Sequence, residues 1–331
     1  MSGTNTALAS VQEAQETSAN EAFLNDVLSG LTQPQKKLSS KYFYDETGDS
    51  LFQQIMRCED YYLTRCEMEV FRESAADLLS ALDIHQQEFD LIELGAGDGV
   101  KTRHMLRYLS EEGADFRYLP VDISAHILKV LCEGIQQNLT GVKIQPFEGD
   151  YFDALSRIDD YSERRKVLLF LGSNIGNMPV EDCQTFCIKL AEHMNPGDVL
   201  ITGFDLKKDP RTILRAYDDS DGLTRDFNLN LLRRINNELG ADFDLNGFEH
   251  YQTYNPLNGA CQSFLISQRE QNIRIAGQVI SFEQHEPVFM EVSRKFSLSD
   301  IDDLATTTGF IPVKHCSDSK GWFVNAVWTK N

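Results

Sequence analysis

The sequence lacks any apolar run long enough to span a bilayer, and its first twenty residues lack the basic start and apolar centre of a secretion signal. Residues 1–20, rich in Ala, Ser, Thr, Gln and Glu, are expected to form a frayed tail. Basic charge is also scarce: 31 Lys and Arg against 51 Asp and Glu leave a formal charge of −20. A surface that acidic repels phosphate backbones and anionic lipid, so neither nucleic acid nor membrane is an expected partner. The seven cysteines form no CxxC pair and no zinc spacing, which gives no reason to expect a metal. Their odd number, without a secretion signal, indicates a reducing cytoplasm. Cys183 and Cys187 stand four apart with Leu190 and Met194, and read as core residues of a helix. Internal repeats and low-complexity linkers are absent as well.

What is present is an ordinary globular composition, 41% hydrophobic and 25% charged, in a chain long enough for two units with cores of their own. Phe23, Leu24, Val27, Leu28 and Leu31 recur at helical spacing, as do Phe71, Leu78, Leu79 and Leu82. Between them runs an aromatic-rich stretch, KYFYDETGDSLFQQIMRCEDYYLTRCE, with a turn expected at Glu46–Asp49. From residue 89 the rhythm changes. FDLIEL (89–94), FRYLPVD (116–122), VKIQPFEGD (142–150), KVLLFLG (166–172) and VLITGFDL (199–206) alternate with helical segments. Such alternation specifies an α/β fold with a doubly wound parallel sheet. Phe227, Leu231, Ile235 and Leu239 then mark one more helix, and QSFLISQ and IRIAGQVISF a β-rich region. GFIPVKHC (309–316) and WFVNAVWTK (322–330) close the chain as a hairpin, which requires an antiparallel last strand. That pattern resembles the Rossmann-like sheet of class I methyltransferases. Residues 66–206 and 294–331 are expected to form the sheet domain, and 21–65 with 207–293 a second domain.

The first strand runs into Glu93-Leu94-Gly95-Ala96-Gly97-Asp98-Gly99, where glycines let the backbone approach a ligand. Val100 stands where a GxGxxG motif has its last glycine, and such a turn alone is a weak signal. Asp122 ends the second strand and can accept both hydroxyls of a ribose. Asp150 and Tyr151 end the third and suit an adenine amine and ring face. Each has a plain structural alternative, a helix cap for Asp122 and a core aromatic for Tyr151. Three in succession on one sheet edge favour a nucleoside site.

Several blocks match one family: KYFYDETGDSLF…YYLTRCE, ELGAGDGVKTRHML, YLPVDIS, FLGSNIGN, ITGFDLKKDP, AYDD…GLTRDFNLNLL and MEVSRKFS. The chain resembles the ergothioneine-pathway L-histidine Nα-methyltransferases, which trimethylate histidine to hercynine, from about Lys36 to its end. The resemblance implies S-adenosylmethionine as cofactor, held by Gly95, Gly97, Lys101, Asp122, Asp150 and Tyr151, with Lys101 at its methionyl carboxylate. It implies a small amino acid as the other partner. Asn177 and Tyr217 would hydrogen-bond the α-carboxylate with Tyr61 nearby, Glu291 and Ser293 would recognise the imidazole, and Tyr44 would line the amine side. Asn177 can also be read as a cap or turn residue, and Glu291 with Ser293 as a solvent-facing pair.

The sequence departs from the family where LPEYY reads Cys58-Glu59-Asp60-Tyr61-Tyr62 and where an IEM-type strand reads Gln262-Ser263-Phe264. The GExI lead-in likewise reads His285-Glu286-Pro287-Val288. These changes bear on substrate choice and leave methyl transfer intact. No dedicated catalytic base is expected, Tyr44 being the candidate for a proton relay, and the enzyme is expected to be a monomer. Methylation of another amine, of the tryptophan type or at a different histidine nitrogen, is the nearest alternative. A nicotinamide-dependent oxidoreductase and a non-catalytic small-molecule sensor are the alternatives from other classes.

Overall fold

The computed structural model describes residues 20–82, 87–139 and 141–331. The expected tail therefore lies, up to residue 19, outside the described residues. In chain order the described elements begin with helix α1 (residues 20–31) and α2 (Glu46–Arg57). Next come α3 (Leu63–Glu73), α4 (Ala75–Leu79), β1 (Phe89–Leu94), α5 (Thr102–Glu111), β2 (Phe116–Asp122) and α6 (Ala125–Asn138). β3 (Lys143–Ile144), β4 (Phe147–Glu148), α7 (Tyr151–Tyr161), β5 (Arg165–Phe170), α8 (Val180–Glu192) and β6 (Val199–Asp205) complete the alternating stretch. α9 (Pro210–Tyr217), α10 (Leu223–Leu239), β7 (Phe248–Asn255), β8 (Ala260–Ser267), β9 (Gln271–Ile275), β10 (Gln278–Phe282) and β11 (Pro287–Arg294) follow. α11 (Leu298–Thr307), β12 (Phe310–Ser317) and β13 (Phe323–Lys330) close the chain.

These elements form two compact units, each described by itself. The sheet unit comprises residues 62–208, Pro256–Gly259 and Ser293–Asn331. Its strands lie in the order β12-β13-β6-β5-β1-β2-β3, with β4 also paired to β2. The strands from β6 through β3 pair in parallel, whereas β13 is antiparallel to both β6 and β12. This is the class I methyltransferase sheet, with its antiparallel last strand next to the edge. β1 and β6 are buried at every position, which is why each reads as a short apolar run rather than an alternation. One core cluster contains Ile92, Leu119, Phe170 and Trp328, and another contains Leu91, Tyr118, Val167 and Ile201. Cys183 and Cys187 are buried in the first of these. The third sequence run is split into β3 and β4, because Pro146 between them has no N–H to continue a ladder. Phe71, Leu78, Leu79 and Leu82 are all buried, but the helix over them breaks at Ser74.

The other unit comprises residues 20–61, Asp209–Asn255 and Ala260–Val292. Phe23, Val27 and Leu31 of α1 share its core with Phe227, Leu231 and Ile235 of α10 and with Leu265 and Met290. Two glycines at positive φ, Gly222 (+71°) and Gly240 (+64°), bound α10. β11, β8 and β7 form a three-stranded sheet, and β9 and β10 a hairpin whose turn residues Ala276 and Gly277 both have positive φ. The turn expected at Glu46–Asp49 is instead the first turn of α2. The Asp45 carboxylate accepts from the Gly48 N–H at 2.7 Å and caps that helix, and Glu46 and Asp49 suit its positive end. Gly48 is required there by contact, because a Cβ would stand 1.8 Å from the Phe43 carbonyl oxygen. No helix among the described residues is long and apolar enough to cross a membrane.

Candidate functional site

In the sheet unit the cofactor candidates are built on main chain. Gly95, Gly97 and Gly99 have φ of +71°, +55° and +64°, the region that glycine alone enters without strain. The Gly95 and Ala96 N–H groups donate to the Val121 carbonyl at 2.9 and 3.1 Å, which ties the turn to the end of β2. There the Asp122 carboxylate accepts from Gly97 N–H and from Ser124 N–H, both at 3.0 Å. Each carboxylate oxygen keeps a further lone pair, so this anchoring is compatible with accepting ribose hydroxyls. Asp150 caps α7 by accepting from Phe152 N–H at 3.0 Å. Asp122 and Asp150 thus serve as structural groups without being consumed by that role.

Tyr151 behaves differently from an exposed adenine platform. Its ring packs edge-on against Phe170 and Phe186, with centroids 5.8 and 6.1 Å away. Its hydroxyl is 3.0 Å from where a Cβ on Gly95 would stand. Burial, reinforced by the charges of Asp122 and Asp150, pushes the phenol up to about 12, so it remains a donor. Asn174 comes to the same place, its amide nitrogen 3.7 Å from the Cβ positions of both Gly95 and Gly172. At Gly172 a Cβ would stand 3.3 Å from the Lys101 ammonium. Two glycines without side chains are therefore surrounded by an ammonium, an amide and a phenol, with a carboxylate at the same turn. That donor set fits a ligand with ribose hydroxyls and an amino-acid carboxylate.

Lys101 is held by a residue that sequence reasoning missed. Its ammonium is 2.5 Å from Glu67, whose side chain is 1% exposed and also accepts from Gly172 N–H at 2.9 and 3.1 Å. Gly203 makes the room, since a Cβ there would stand 2.6 Å from Glu67 Oε1. An ammonium has three donors, so the pairing leaves capacity for a ligand carboxylate. A signal for Glu67 was legible. It lies on the buried stripe of α3 with Leu63, Cys66, Val70 and Phe71, where an ionisable residue needs a partner. Beneath the turn, Glu93 accepts from Thr102 at 2.6 Å and from Tyr118. Burial raises its carboxyl to about 7.

Asn177 ends a short 3-10 turn, Asn174–Asn177, and is exposed. It is not the cap of α8, a place taken by Pro179. A Cβ on Gly176 would meet the Arg294 carbonyl oxygen at 2.7 Å, so this turn lies against the end of β11, beside Ser293. Ser293 is buried, and its hydroxyl accepts from Lys295 at 2.9 Å.

In the other unit, three candidates belong to one chain of rings. Tyr44 packs edge-on against Phe52 and Phe227, at 5.6 and 5.7 Å. Phe52 also meets Tyr61 at 6.5 Å, and Tyr61 meets Tyr217 at 6.0 Å. The departure at Asp60 has a use in this arrangement. Its carboxylate accepts from the N–H and hydroxyl of Ser220, both at 3.3 Å, and so ties the Tyr61 segment to the loop after α9. Glu291 lies on the three-stranded sheet, with Ser263 Oγ 3.3 Å from its carboxylate. Ser263, one of the departures from the family pattern, donates to Gln252 over a shorter 2.6 Å, and Gln252 was not singled out from sequence. Phe264 instead packs its ring against Phe289 at 5.8 Å. Glu286, in the departing lead-in, pairs with Lys36 at 2.5 Å.

The chain is similar to known proteins over most of its length. The family described as "Histidine-specific methyltransferase, SAM-dependent" matches residues 23–330. The histidine N-alpha-methyltransferase of Mycobacterium tuberculosis (strain CDC 1551 / Oshkosh) is 36% identical over 310 residues, 93% of this chain and 95% of that protein. That of Mycolicibacterium smegmatis is 37% identical over 281 residues, 84% of this chain and 86% of its own. Ergothioneine biosynthesis protein 1 of Neurospora crassa is 28% identical over 83% of this chain, which covers 31% of that longer protein.

Proposed function

This chain belongs to the histidine-specific, S-adenosylmethionine-dependent methyltransferase family, and on that premise we propose that it methylates the α-amine of L-histidine toward the Nα,Nα,Nα-trimethyl product. The observation that carries the reading is the convergence of Lys101, Asn174, Tyr151 and Asp122 on the glycines of the strand-end turns. The 36–37% identity to histidine N-alpha-methyltransferases over most of the chain supports the substrate.

Bound S-adenosylmethionine supplies a methyl group on a sulfonium, an electrophile toward an amine lone pair. The protein's part is to hold both reactants. We assign Lys101 to the cofactor's carboxylate, Asp122 to its ribose, and Gly95, Gly97, Asp150 and Tyr151 to the surrounding cradle. Asn177 and Tyr217 bind the amino acid's carboxylate with Tyr61, through neutral donors that do not attract other anions as a lysine would. Glu291 accepts from an imidazole N–H, and Ser293 serves the other ring nitrogen. Positioning of this kind lowers barriers by up to ~7–11 kcal/mol in ideal cases. A peptide α-amine titrates near ~7.7–8.0 and that of a free amino acid somewhat higher, but a like charge such as the sulfonium beside it lowers that value, so a strong base is not needed. We assign to Tyr44, 46% exposed, the passing of the proton to water.

The test is a set of incubations of the pure protein with S-adenosylmethionine and histidine, its mono- and dimethylated forms, tryptophan or phenylalanine, read by mass spectrometry. Successive methyl additions on the α-amine of histidine are expected. Faster turnover of tryptophan would overturn the substrate and leave the methyl transfer standing.

A further inference from the structure

One buried carboxylate beside the cofactor turns, that of Glu67 on α3, has no part in methyl transfer itself. It reaches two turns at once. Its Oε2 is 2.5 Å from the Lys101 ammonium, in the turn after β1. Both of its oxygens accept from Gly172 N–H, at 2.9 and 3.1 Å, in the turn after β5. β1 and β5 are neighbours in the sheet, so a single side chain ties adjacent strand ends together. Its place is fixed by contact. A Cβ on Gly203 of β6 would stand 2.6 Å from Glu67 Oε1, 3.0 Å from the Phe323 ring and 3.1 Å from the Asn325 amide oxygen, so β6 and β13 wall the carboxylate in. A buried carboxylate is costly unless paired, and here the Gly172 N–H and the Lys101 ammonium are its partners. Glu93, the other buried acid near this turn, is taken up by Thr102 and Tyr118.

The effect on Lys101 follows from the shape of a lysine. Its stem has many rotamers, and a ligand that binds a loose ammonium must first order it. Lys101 is ordered beforehand. Its ammonium stands 3.3 Å from the Cβ position of Gly172, a glycine with φ of +74°, where no side chain intervenes. Glu67 takes one of its three N–H groups and is its one hydrogen-bond partner among the described residues, which leaves two for a ligand carboxylate. The charge of Glu67 repels a carboxylate and attracts an ammonium. The methionyl end of the cofactor carries both, so these long-range effects oppose each other, and the placement of the Lys101 ammonium decides.

We propose that Glu67 is a positioning residue for the cofactor: by holding Lys101 across the two turns it presents the ammonium to the methionyl carboxylate, and so makes the site select ligands with this amino-acid end over nucleosides that lack it. The inference rests on the assignment of Lys101 to that carboxylate and adds the residue that makes it selective.

The experiment is calorimetric titration of the full chain with S-adenosylhomocysteine and with 5′-methylthioadenosine, which keeps the nucleoside and the thioether and lacks the amino-acid end. The unmutated protein is expected to bind S-adenosylhomocysteine about tenfold or more tightly. Glu67→Gln can still accept from Gly172 N–H but loses the charge that holds Lys101. It is expected to lower that ratio by about tenfold, with the affinity for 5′-methylthioadenosine unchanged. Lys101→Met is expected to lower the ratio at least as far, and adding Glu67→Gln to it to lower the ratio no further. A merely structural glutamate would weaken both ligands together, and would do so in the Lys101→Met background as well. Should Glu67→Gln not fold, Gly203→Ala replaces it, since the new Cβ displaces the carboxylate without removing its charge, and the same fall is expected. Parallel weakening of both ligands, or an unchanged ratio in the folded Glu67 or Gly203 variant while Lys101→Met shows the fall, overturns this inference alone. Equal binding of the two ligands by the unmutated protein, or an unchanged ratio in Lys101→Met, overturns the carboxylate assignment and this inference with it.

Discussion

The cofactor side and the recognition side are built by different means. In the sheet unit, two of the cofactor candidates follow strand ends and backbone groups fix them: Gly97 and Ser124 hold Asp122, and Phe152 holds Asp150. In the other unit, Tyr44, Tyr61 and Tyr217 are linked by ring contacts, Tyr44 and Tyr61 through Phe52 and Tyr61 directly to Tyr217. Backbone-anchored sites survive changes of side chain around them, whereas a ring cluster can be retuned by single substitutions. The departures from the family pattern at Asp60, Ser263 and Glu286 all fall in the unit that contains this ring cluster.

The sharpest way to probe the first kind is through the acid beneath its turn. Glu93 is fully buried and favours its protonated form up to about 7, against 4.5 ordinarily. In that window the unfolded chain loses the proton first, so the protein loses stability as pH rises from 4.5 to about 7 and none beyond from this group. Glu93→Gln does not titrate. Its stability relative to the unmutated protein is expected to rise by about 3 kcal/mol across that window and then level off, as measured by urea unfolding at several pH values. A difference that stays flat with pH would show that the site under the turn is not a buried acid of raised pKa.

Gly95→Val attacks the turn itself. The φ of +71° disfavours a branched side chain, and the new Cβ would crowd the Tyr151 hydroxyl at 3.0 Å. Strain of about 1–3 kcal/mol is expected to weaken S-adenosylhomocysteine binding by ~10- to 100-fold in calorimetry. Near-native binding would place the cofactor elsewhere. Asp122→Ala leaves ribose hydroxyls and the Gly97 N–H without an acceptor, and a loss of ~1–2 kcal/mol in the same assay is expected. Unchanged affinity in the folded variant removes the ribose assignment.

Two smaller effects separate amino-acid binding from cofactor binding. Asn177→Ala and Tyr217→Phe each remove one neutral donor and are expected to cost about 1 kcal/mol of histidine affinity, with cofactor affinity unaltered. Cofactor loss in either variant, with histidine binding unchanged, would break the division of labour drawn above.

Much of the sheet unit was legible in sequence because a buried parallel strand writes itself as a local apolar run. The runs at 89–94 and 116–122 are β1 and β2 to the residue. Asp122 was legible for the same reason, being the polar residue at which such a run stops. The other unit was not legible in that way. DETGD reads as a turn to local rules, yet Asp45 caps a helix whose Gly48 is demanded by contact with Phe43. Tyr61 and Tyr217 came from family resemblance, since nothing periodic links two residues whose rings meet across so much chain. Glu67 was missed because its partners Lys101 and Gly172 are 34 and 105 positions away. Lys295 was missed because a lysine in MEVSRKFS looks like solvated surface until Asp205 is found beside it.

The account's central claim, that this protein selects histidine, is tested most directly by one ratio. It is the kcat/KM for histidine over that for phenylalanine, in the unmutated enzyme and in Glu291→Ala. A site that hydrogen-bonds the ring rejects an analogue without nitrogens by ~10⁴-fold or more, because its own polar groups are left unpaired. The account predicts a ratio of that order, falling by at least ~100-fold in Glu291→Ala. A ratio near one in the unmutated enzyme, or one that Glu291→Ala leaves intact, would contradict it.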